Sequence, residues 1–180
     1  MPTKTLMTAA EFIQMDAAET ESFELVDGEL IPMSSPIILH GIVRGRAERL
    51  IGNYFDRNPI GGVVSETDCR INSNTVRRPD LSIFLGERWR QLDVLGVPAP
   101  FAPDIAVEVL SPSEHIMEVN RKVRDYFSAG SQEAWLLDHA ICEVHVRTKS
   151  GAHILGGSDT LETGLLPGFS VSVTELLAGR

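Results

Sequence analysis

The sequence predicts a domain of the α/β or α+β class, in which helices and strands alternate along 180 residues. The apolar period changes from about 3.6 residues before Gly61 to about two residues after it. Residues 104–110 are nearly all apolar, which is typical of a strand buried on both faces. The length suits one domain over residues 1–180, and no linker or repeat interrupts it.

The N-terminal segment is predicted to form a short helix. Thr8 and Glu11 have the spacing of a capping box, which opens a helix over residues 8–15 with Phe12 and Ile13 facing inward. The acidic residues after this helix are expected to form a loop.

A β-hairpin and the first long helix come next. Asp27-Gly28 joins two strand-like segments within residues 23–33, because both residues tolerate the positive φ of a tight hairpin turn. Ser35-Pro36 is typical of a helix start, and apolar residues then recur at helical spacing until Asn58-Pro59. These residues are Leu39, Val43, Ala47, Leu50 and Tyr54.

The middle of the chain is predicted to be a three-stranded meander and a long loop. Short apolar runs at residues 63–64, 69–71 and 81–85 are separated by polar turns. Residues 86–103 are rich in proline and glycine, which is typical of a loop or a short helical turn.

The second long helix is predicted over residues 112–129. Ser111-Pro112-Ser113-Glu114 has the pattern of a helix start, and Gly130 follows the end. Its apolar stripe consists of Ile116, Val119, Val123, Tyr126 and Phe127. The remaining elements are expected to be strands at 135–137 and 141–146, a strand fragment at 165–169 and a helix at Val173–Leu177.

Glu108 is the most unusual charge in the chain, because it lies between apolar neighbours in the buried strand. Alternation puts it on one face with Ala106 and Leu110. An unpaired carboxylate there would cost several kcal/mol, so a metal, a cation or strong donors must accompany it. A structural salt bridge is the alternative explanation.

Asp80 and Lys122 complete a candidate site. Asp80 begins the strand at 81–85, where a plain turn or cap aspartate is the alternative. Lys122 borders the apolar stripe of its helix, whereas Arg121 points almost opposite, so the lysine can lie over the end of the preceding strand. Simple snorkelling of the lysine is the other possibility.

Two acids from neighbouring strands suit a hard divalent cation, either Mg²⁺ or Mn²⁺. Such an ion acts as a Lewis acid and lowers the pKa of water, and a nearby lysine can orient or deprotonate that water and stabilise charge on a phosphate. The three residues therefore indicate metal-dependent hydrolysis of a phosphodiester.

The charge distribution bears on the partners. The net charge of −9 argues against a protein that coats DNA regardless of sequence. Residues 44–90 nevertheless hold nine arginines and six acids, so a local basic face can meet nucleic acid, with an unevenly charged solvated surface as the alternative.

Other classes of protein are poor matches. The chain lacks a phosphate-binding glycine loop, a dinucleotide fingerprint and a Gly-x-Ser-x-Gly motif. Two cysteines, Cys69 and Cys142, are too few to stabilise a domain of this length through disulfide bonds, so both are expected to stay reduced. Because no signal peptide or membrane-length apolar run is present, a cytoplasmic location with no membrane contact is expected.

These residues resemble the Uma-two family of restriction-like endonucleases, within the PD-(D/E)xK nuclease superfamily, over essentially the whole chain. The resemblance rests on Pro79-Asp80, Val107-Glu108-Val109-Leu110-Ser111-Pro112-Ser113, Arg121-Lys122, Tyr126, Gly130, Trp135-Leu136-Leu137-Asp138, Phe23-Glu24-Leu25-Val26-Asp27-Gly28-Glu29-Leu30, His40-Gly41 and Leu165-Leu166-Pro167-Gly168-Phe169. It implies a restriction-endonuclease-like core, with a central mixed β-sheet flanked by helices and an N-terminal helix and β-hairpin.

The resemblance also implies a metal held by Asp80 and Glu108, with Glu24 as a further catalytic acid. The superfamily's lysine should stand two residues after the glutamate, where this chain has Leu110, so the resemblance assigns its role to Lys122. The implied activity is that of a divalent-metal-dependent endonuclease that cuts DNA, and we expect a homodimer because cutting both strands needs two sites. One alternative is an inactive nuclease-fold module that binds nucleic acid or protein. Another is cleavage of RNA or of structured DNA, which the arginine-rich span does not distinguish from duplex DNA.

Overall fold

Helices and strands alternate along the computed structural model, which describes residues 6–33, 35, 37–112 and 114–179. The helices in these ranges are α1 (Ala9–Ile13), α2 (Ala17–Thr20), α3 (Ile38–Phe55), α4 (Gly86–Gln91), α5 (Ile116–Ser128) and α6 (Val173–Leu177). The strands are β1 (Phe23–Val26), β2 (Glu29–Pro32), β3 (Gly61–Ser65), β4 (Cys69–Asn72), β5 (Thr75–Arg77), β6 (Leu81–Leu85), β7 (Ile105–Val109), β8 (Glu133–Asp138), β9 (Glu143–Thr148), β10 (Gly151–Gly156), β11 (Thr160–Glu162) and β12 (Ser170–Ser172).

The central sheet has six strands in the order β10-β9-β8-β7-β6-β3. β7 and β8 are parallel, and the other neighbours are antiparallel, so the sheet is mixed. Helix α5 makes the crossover between the two parallel strands, which such a connection requires. Every residue of β7 is buried, as its continuous apolar pattern predicted.

Helices cover both faces of the central sheet. α3, α6 and the C-terminal segment pack on the face that includes Val107 and Trp135. α5 packs on the opposite face through Val119 and Val123, which contact the cluster containing Leu136. Because side chains alternate along β7, Glu108 points to the side of α5.

A second sheet has four strands in the order β2-β1-β5-β4. Its β1-β2 hairpin turns at Asp27 and Gly28, with φ angles of 51° and 81°, so the predicted two-residue turn is confirmed. α1 packs on this sheet, where Phe12 joins Leu25 and Val76 in a separate apolar cluster.

The capping box of α1 is confirmed. Thr8 accepts a hydrogen bond from the backbone of Glu11, and the Glu11 carboxylate accepts one from the backbone of Thr8. Replacing Thr8 by Ala removes this cap and is expected to lower the free energy of unfolding by about 1 kcal/mol, measured by urea denaturation. Thr160→Ala, at an exposed position of strand β11, is the control, and an equal loss in both variants would contradict the capping role.

Several sequence predictions were wrong in detail. The expected three-stranded meander is four strands divided between the two sheets, because β5 pairs with β1 of the hairpin and β4 pairs with β5 rather than with β6. Residues 165–169 form turns rather than a strand fragment, since Pro167 and Gly168, with φ of 82°, reverse the chain there. The helix Val173–Leu177 is confirmed.

Both long helices begin later than their sequence patterns predicted. α5 begins at Ile116 rather than at residue 112, because Glu114 pairs with Lys122 instead of capping and His115 has an extended backbone. Ile116 is therefore exposed, although the sequence placed it in the apolar stripe of this helix. Pro36 and Ser113, which the sequence placed at the two helix starts, lie outside the described residues.

Ile13 also differs from its prediction. It is 40% exposed, whereas Ala9 and Phe12 are buried. A helix of five residues presents a single narrow stripe, and Ile13 is about 100° away from Phe12 around the axis. None of the helices in the described ranges combines the length and apolar character needed to cross a bilayer.

Candidate active site

The two predicted metal ligands face each other across neighbouring strands. β6 and β7 are antiparallel, and Leu81 pairs with Val107. Continuing this register by one residue sets Asp80 opposite Glu108 on the same face of the sheet. Cβ atoms of directly opposed residues are roughly 4.5–5.5 Å apart, and like charges there repel each other. Strand pairing therefore brings the two carboxylates together and leaves them in need of positive charge.

Asp80 is held by two donors that meet at one oxygen. The backbone N–H of Val109 donates to Asp80 Oδ2 over 2.7 Å. His40 Nε2 lies 3.2 Å from the same oxygen, and this hydrogen bond raises the pKa of the imidazole against the opposing effect of burial. No hydrogen bond from the described part of the chain reaches Oδ1, so that oxygen is open to a ligand.

Glu108 is buried and bonded at both oxygens. The Tyr126 hydroxyl donates to Oε1 over 2.5 Å, and Lys122 Nζ lies 3.1 Å from Oε2. Burial raises the pKa of the Glu108 carboxyl to about 7, while Lys122 acts in the opposite direction and Asp80 adds to the rise. A cation bound beside the carboxyl would favour its charged form.

Lys122 reaches this glutamate from the adjacent helix. It lies one turn before Tyr126 on α5, so both side chains meet the same carboxylate. Its ammonium group also lies 3.3 Å from Glu114 Oε1. Burial lowers the pKa of Lys122, but Glu108, Glu24 and Glu114 outweigh that effect and raise the pKa overall. Lys122 is therefore a protonated hydrogen-bond donor.

Glu24 lies near this group but has other partners. It is 3% exposed on strand β1. Its Oε2 accepts from Arg77 Nη1, and its Oε1 accepts from the backbone N–H of Arg78, each over 2.8 Å. Its charge still acts on Lys122, whose pKa it helps to raise.

Arg77 is the residue near the site that the sequence did not single out. It is 1% exposed and pairs with Glu24 and with Asp125 of α5, whose Oδ2 lies 2.6 Å from Arg77 Nη2. The one indication in the sequence is strand alternation, which puts Arg77 on the same face of β5 as Thr75, a buried residue. The ion pairs tie the four-stranded sheet to the helix that carries Lys122.

A cleft of about 1240 Å³ contains the whole constellation. Asp80, Glu108, Lys122, Glu24 and His40 all line it. The two sheets and helices α1, α3 and α5 contribute to its walls. A smaller depression of about 390 Å³ around residues 162–170 lies apart from these groups.

The donor set fits a magnesium-type ion better than zinc. The described residues contain no group of three or more His, Cys, Asp and Glu side chains close enough to hold a metal. Structural and catalytic zinc need three or four protein ligands. Mg²⁺ keeps several waters and binds through one or two carboxylates, which matches opposed carboxylates with one open Asp80 oxygen.

Comparisons with known proteins agree with this architecture. The crystal structure of a protein from Anabaena variabilis ATCC 29413, described as a “putative nuclease belonging to DUF820”, is similar with a TM-score of 0.83 and 21% sequence identity. The match covers 96% of this chain and 98% of that one. The protein therefore has the restriction-endonuclease-like fold that the sequence resemblance implied: a central mixed sheet flanked by helices.

The family assignment is equally direct. Residues 9–174 match the family Uma2, whose description is “Putative restriction endonuclease”. The chain belongs to this family, which supports a nuclease function. No curated protein is significantly similar in sequence.

Proposed function

We propose that this protein is a divalent-metal-dependent endonuclease that hydrolyses phosphodiester bonds in DNA. The observation that carries this proposal is the opposition of Asp80 and Glu108 on adjacent strands, with the Lys122 ammonium 3.1 Å from Glu108 in a single large cleft. Membership of the Uma2 family supports the same reaction class.

Asp80 and Glu108 would hold the ion, which we take to be Mg²⁺ or Mn²⁺. When bound, such an ion supplies Lewis acidity to the phosphodiester and lowers the pKa of an attacking water. The protein's own residues hold the two carboxylates in position. Val109 and His40 fix the Asp80 carboxylate through Oδ2, and Tyr126 fixes the Glu108 carboxylate through Oε1.

Lys122 serves as a donor, because its ammonium group lies 3.1 Å from Glu108 and 3.3 Å from Glu114, two carboxylates that stabilise its positive charge. In hydrolysis, the water oxygen forms a bond to phosphorus while the bond from phosphorus to the leaving oxygen breaks, and a proton lost by the water is replaced, through solvent, by one gained by the leaving oxygen. Negative charge then grows on the phosphoryl oxygens, and a protonated lysine stabilises it through hydrogen bonds. The same ammonium can orient the attacking water.

Glu24 acts at the site through its charge and through Arg77. Both of its carboxylate oxygens accept hydrogen bonds from Arg77 and Arg78, whereas Asp80 and Glu108 face each other across neighbouring strands, so we assign the metal to those two acids. Its charge helps to keep Lys122 protonated. We further propose a homodimer, since two sites are needed to cut both strands of a duplex.

The test is cleavage of supercoiled plasmid and of single-stranded DNA, with Mg²⁺, with Mn²⁺ and with EDTA. We expect cleavage only with a metal, and a loss of at least about 100-fold in Asp80→Asn and in Glu108→Gln. Glu118→Gln, which changes an exposed carboxylate lining the same cleft, is the matched control and should stay within a few-fold of wild type.

Metal binding is measured separately by calorimetry with Mn²⁺, where both site variants should lose the binding isotherm. Full activity in Asp80→Asn would overturn the site assignment. Wild-type protein that binds Mn²⁺ and nucleic acid but cuts neither substrate would overturn the nuclease proposal in favour of an inactive binding module.

A further inference from the structure

An ion pair between Arg44 and Glu66 lies beside the candidate metal ligands and has no part in the chemistry proposed above. Arg44 follows His40 by one turn of α3, so the two side chains project from the same side of that helix. Glu66 comes directly after strand β3, and its carboxylate pairs with the Arg44 guanidinium. Among the described residues, Arg44 forms no ion pair besides this one.

The register of the central sheet places Glu66 next to Asp80. Ser65 pairs with Leu81 in the antiparallel ladder of β3 and β6, so one further step sets Glu66 opposite Asp80. The backbone N–H of Glu66 donates to the Asp80 carbonyl over 3.2 Å, in agreement with this register. Asp80 is in turn opposite Glu108 on its other side. Three acidic residues therefore form one row across three strands.

The Glu66 carboxylate nevertheless leaves this row. Glu66 has a left-handed backbone, with φ of 48°, which is uncommon for a residue other than glycine. The chain thus departs from strand geometry here, and the side chain meets Arg44 on α3. The acids of the row are not close enough together to hold one metal among the described residues. Backbone conformations of this kind cluster at ligand sites.

This ion pair is easier to open than the other pairs of the cleft. The Glu66 side chain is 55% exposed. Each lysine or arginine that lines the cleft within the described ranges has a partner carboxylate that is at most 12% exposed; these cations are Lys122, Arg77 and Arg78. Opening a buried pair leaves an uncompensated charge, whereas an exposed pair contributes little stability. Arg44 is therefore the arginine beside the site that can change partners at the lowest cost.

A nucleic acid at this site brings a second anion to Arg44. When the scissile phosphodiester lies at Asp80 and Glu108, the neighbouring phosphates of the strand pass along the edge of the site, where Glu66 borders Asp80. A guanidinium group binds phosphate through two parallel, charge-assisted hydrogen bonds. Phosphate contacts of this kind fix the position of a nucleic acid without reading its sequence.

We infer that Arg44 binds a phosphate next to the scissile one, and that Glu66 holds the guanidinium until this phosphate replaces its carboxylate. The exchange replaces one anion by another, so the guanidinium stays charged and no covalent bond changes. Arg44 therefore raises the affinity for nucleic acid, and Glu66 lowers it. This inference rests on the proposed function and deepens it by naming a residue that positions the substrate.

The test is binding of fluorescein-labelled 12-mer DNA, as a duplex and as a single strand, by fluorescence anisotropy in Ca²⁺, with strand integrity checked on gels. We expect Arg44→Met to weaken binding about five- to tenfold and to reduce the slope of log K against log salt by about 1, because one phosphate contact is lost. Arg44→Lys keeps the charge without the planar fork, so it should restore the slope but only part of the affinity.

The opposite sign is expected for Glu66→Gln. Glutamine keeps the size of the side chain without its charge, which frees the guanidinium for the phosphate, so binding should become about two- to fivefold tighter. The matched controls are Arg90→Met and Glu87→Gln, which break an exposed pair of the same two residue types on α4, outside the cleft. Both should stay within about twofold of wild type. A circular-dichroism melt confirms that each variant folds.

The outcomes separate this inference from the proposed nuclease. Weaker binding in both Arg44→Met and Glu66→Gln would give the pair a structural role and overturn the inference. Equal changes in the α4 controls would show a general effect of net charge and would overturn it too. Unchanged binding in Arg44→Met, with cleavage that depends on Asp80, would overturn the inference and leave the nuclease intact.

Two further results concern the wild type. The expected pattern of binding in a protein that cuts no substrate would support the exchange between Glu66 and phosphate and defeat only the proposed hydrolysis. Wild-type protein that binds neither DNA probe would overturn both proposals.

Discussion

Replacing Lys122 by Met is expected to lower the cleavage rate by about 10²- to 10⁴-fold, the range for losing a group that handles charge or protons in the transition state. Methionine keeps most of the unbranched side chain but lacks the terminal ammonium group, so the change removes both the charge and its hydrogen-bond donors. The Lys122 ammonium lies 3.1 Å from Glu108 Oε2, so the loss also leaves that buried carboxylate with Tyr126 as its remaining side-chain donor. Single-turnover cleavage of a labelled oligonucleotide with saturating Mg²⁺ measures the effect.

The matched control is Arg121→Met, one residue earlier on the same helix. Arg121 Nη2 lies 2.7 Å from Asp27 Oδ2 at the tip of the hairpin, and both side chains are at least partly exposed. Arg121 does not line the cleft. Its removal should change the rate by no more than a few-fold. Equal losses in the two variants would mean that α5 needs positive charge in general, and the specific role of Lys122 would then be wrong.

The burial of Glu108 could be predicted because it follows from local pattern alone. A strand of continuous apolar residues is buried on both faces, and alternation then decides which face the glutamate occupies. The position of Lys122 followed similarly from helical periodicity, since the residue borders Val119 and Tyr126 on α5. Both predictions need only the geometry of one element.

The opposition of Asp80 and Glu108 across neighbouring strands could not be predicted in this way. It depends on the register of β6 against β7, and a shift of one residue would move Asp80 to the other face. Register is fixed by the packing of the whole sheet. The family resemblance supplied the pairing of these two acids without explaining it.

Local sequence pattern also could not predict how the strands divide between the two sheets. β5 is only three residues long and ends in Arg77. Arginine is usually exposed, so there was no reason in the sequence to expect this one to be buried. Its burial depends on two carboxylates, Glu24 and Asp125, which lie 53 and 48 residues away along the chain. Ion pairs between residues so far apart in the chain leave no periodic pattern in the sequence.

Arg77→Met is expected to lower the free energy of unfolding by about 3–5 kcal/mol, because it leaves the buried Glu24 carboxylate without its ion-pair partner. Urea denaturation followed by circular dichroism measures the change. Arg90→Met is the control, since Arg90 and Glu87 form an exposed pair on α4 with side chains 68% and 65% exposed. Such pairs contribute roughly 0–1 kcal/mol.

A double variant tests the physical reason for this loss. If the cost of Arg77→Met comes from an uncompensated buried charge, then adding Glu24→Gln should recover a large part of the lost stability, because the carboxylate no longer needs a cation. If the cost comes instead from lost packing of the arginine side chain, the second change should add to the first. A loss below about 1 kcal/mol in Arg77→Met alone would show that the ion pairs do not hold α5 against the four-stranded sheet. Lys122 would then owe its position to the apolar contacts of Val119 and Val123.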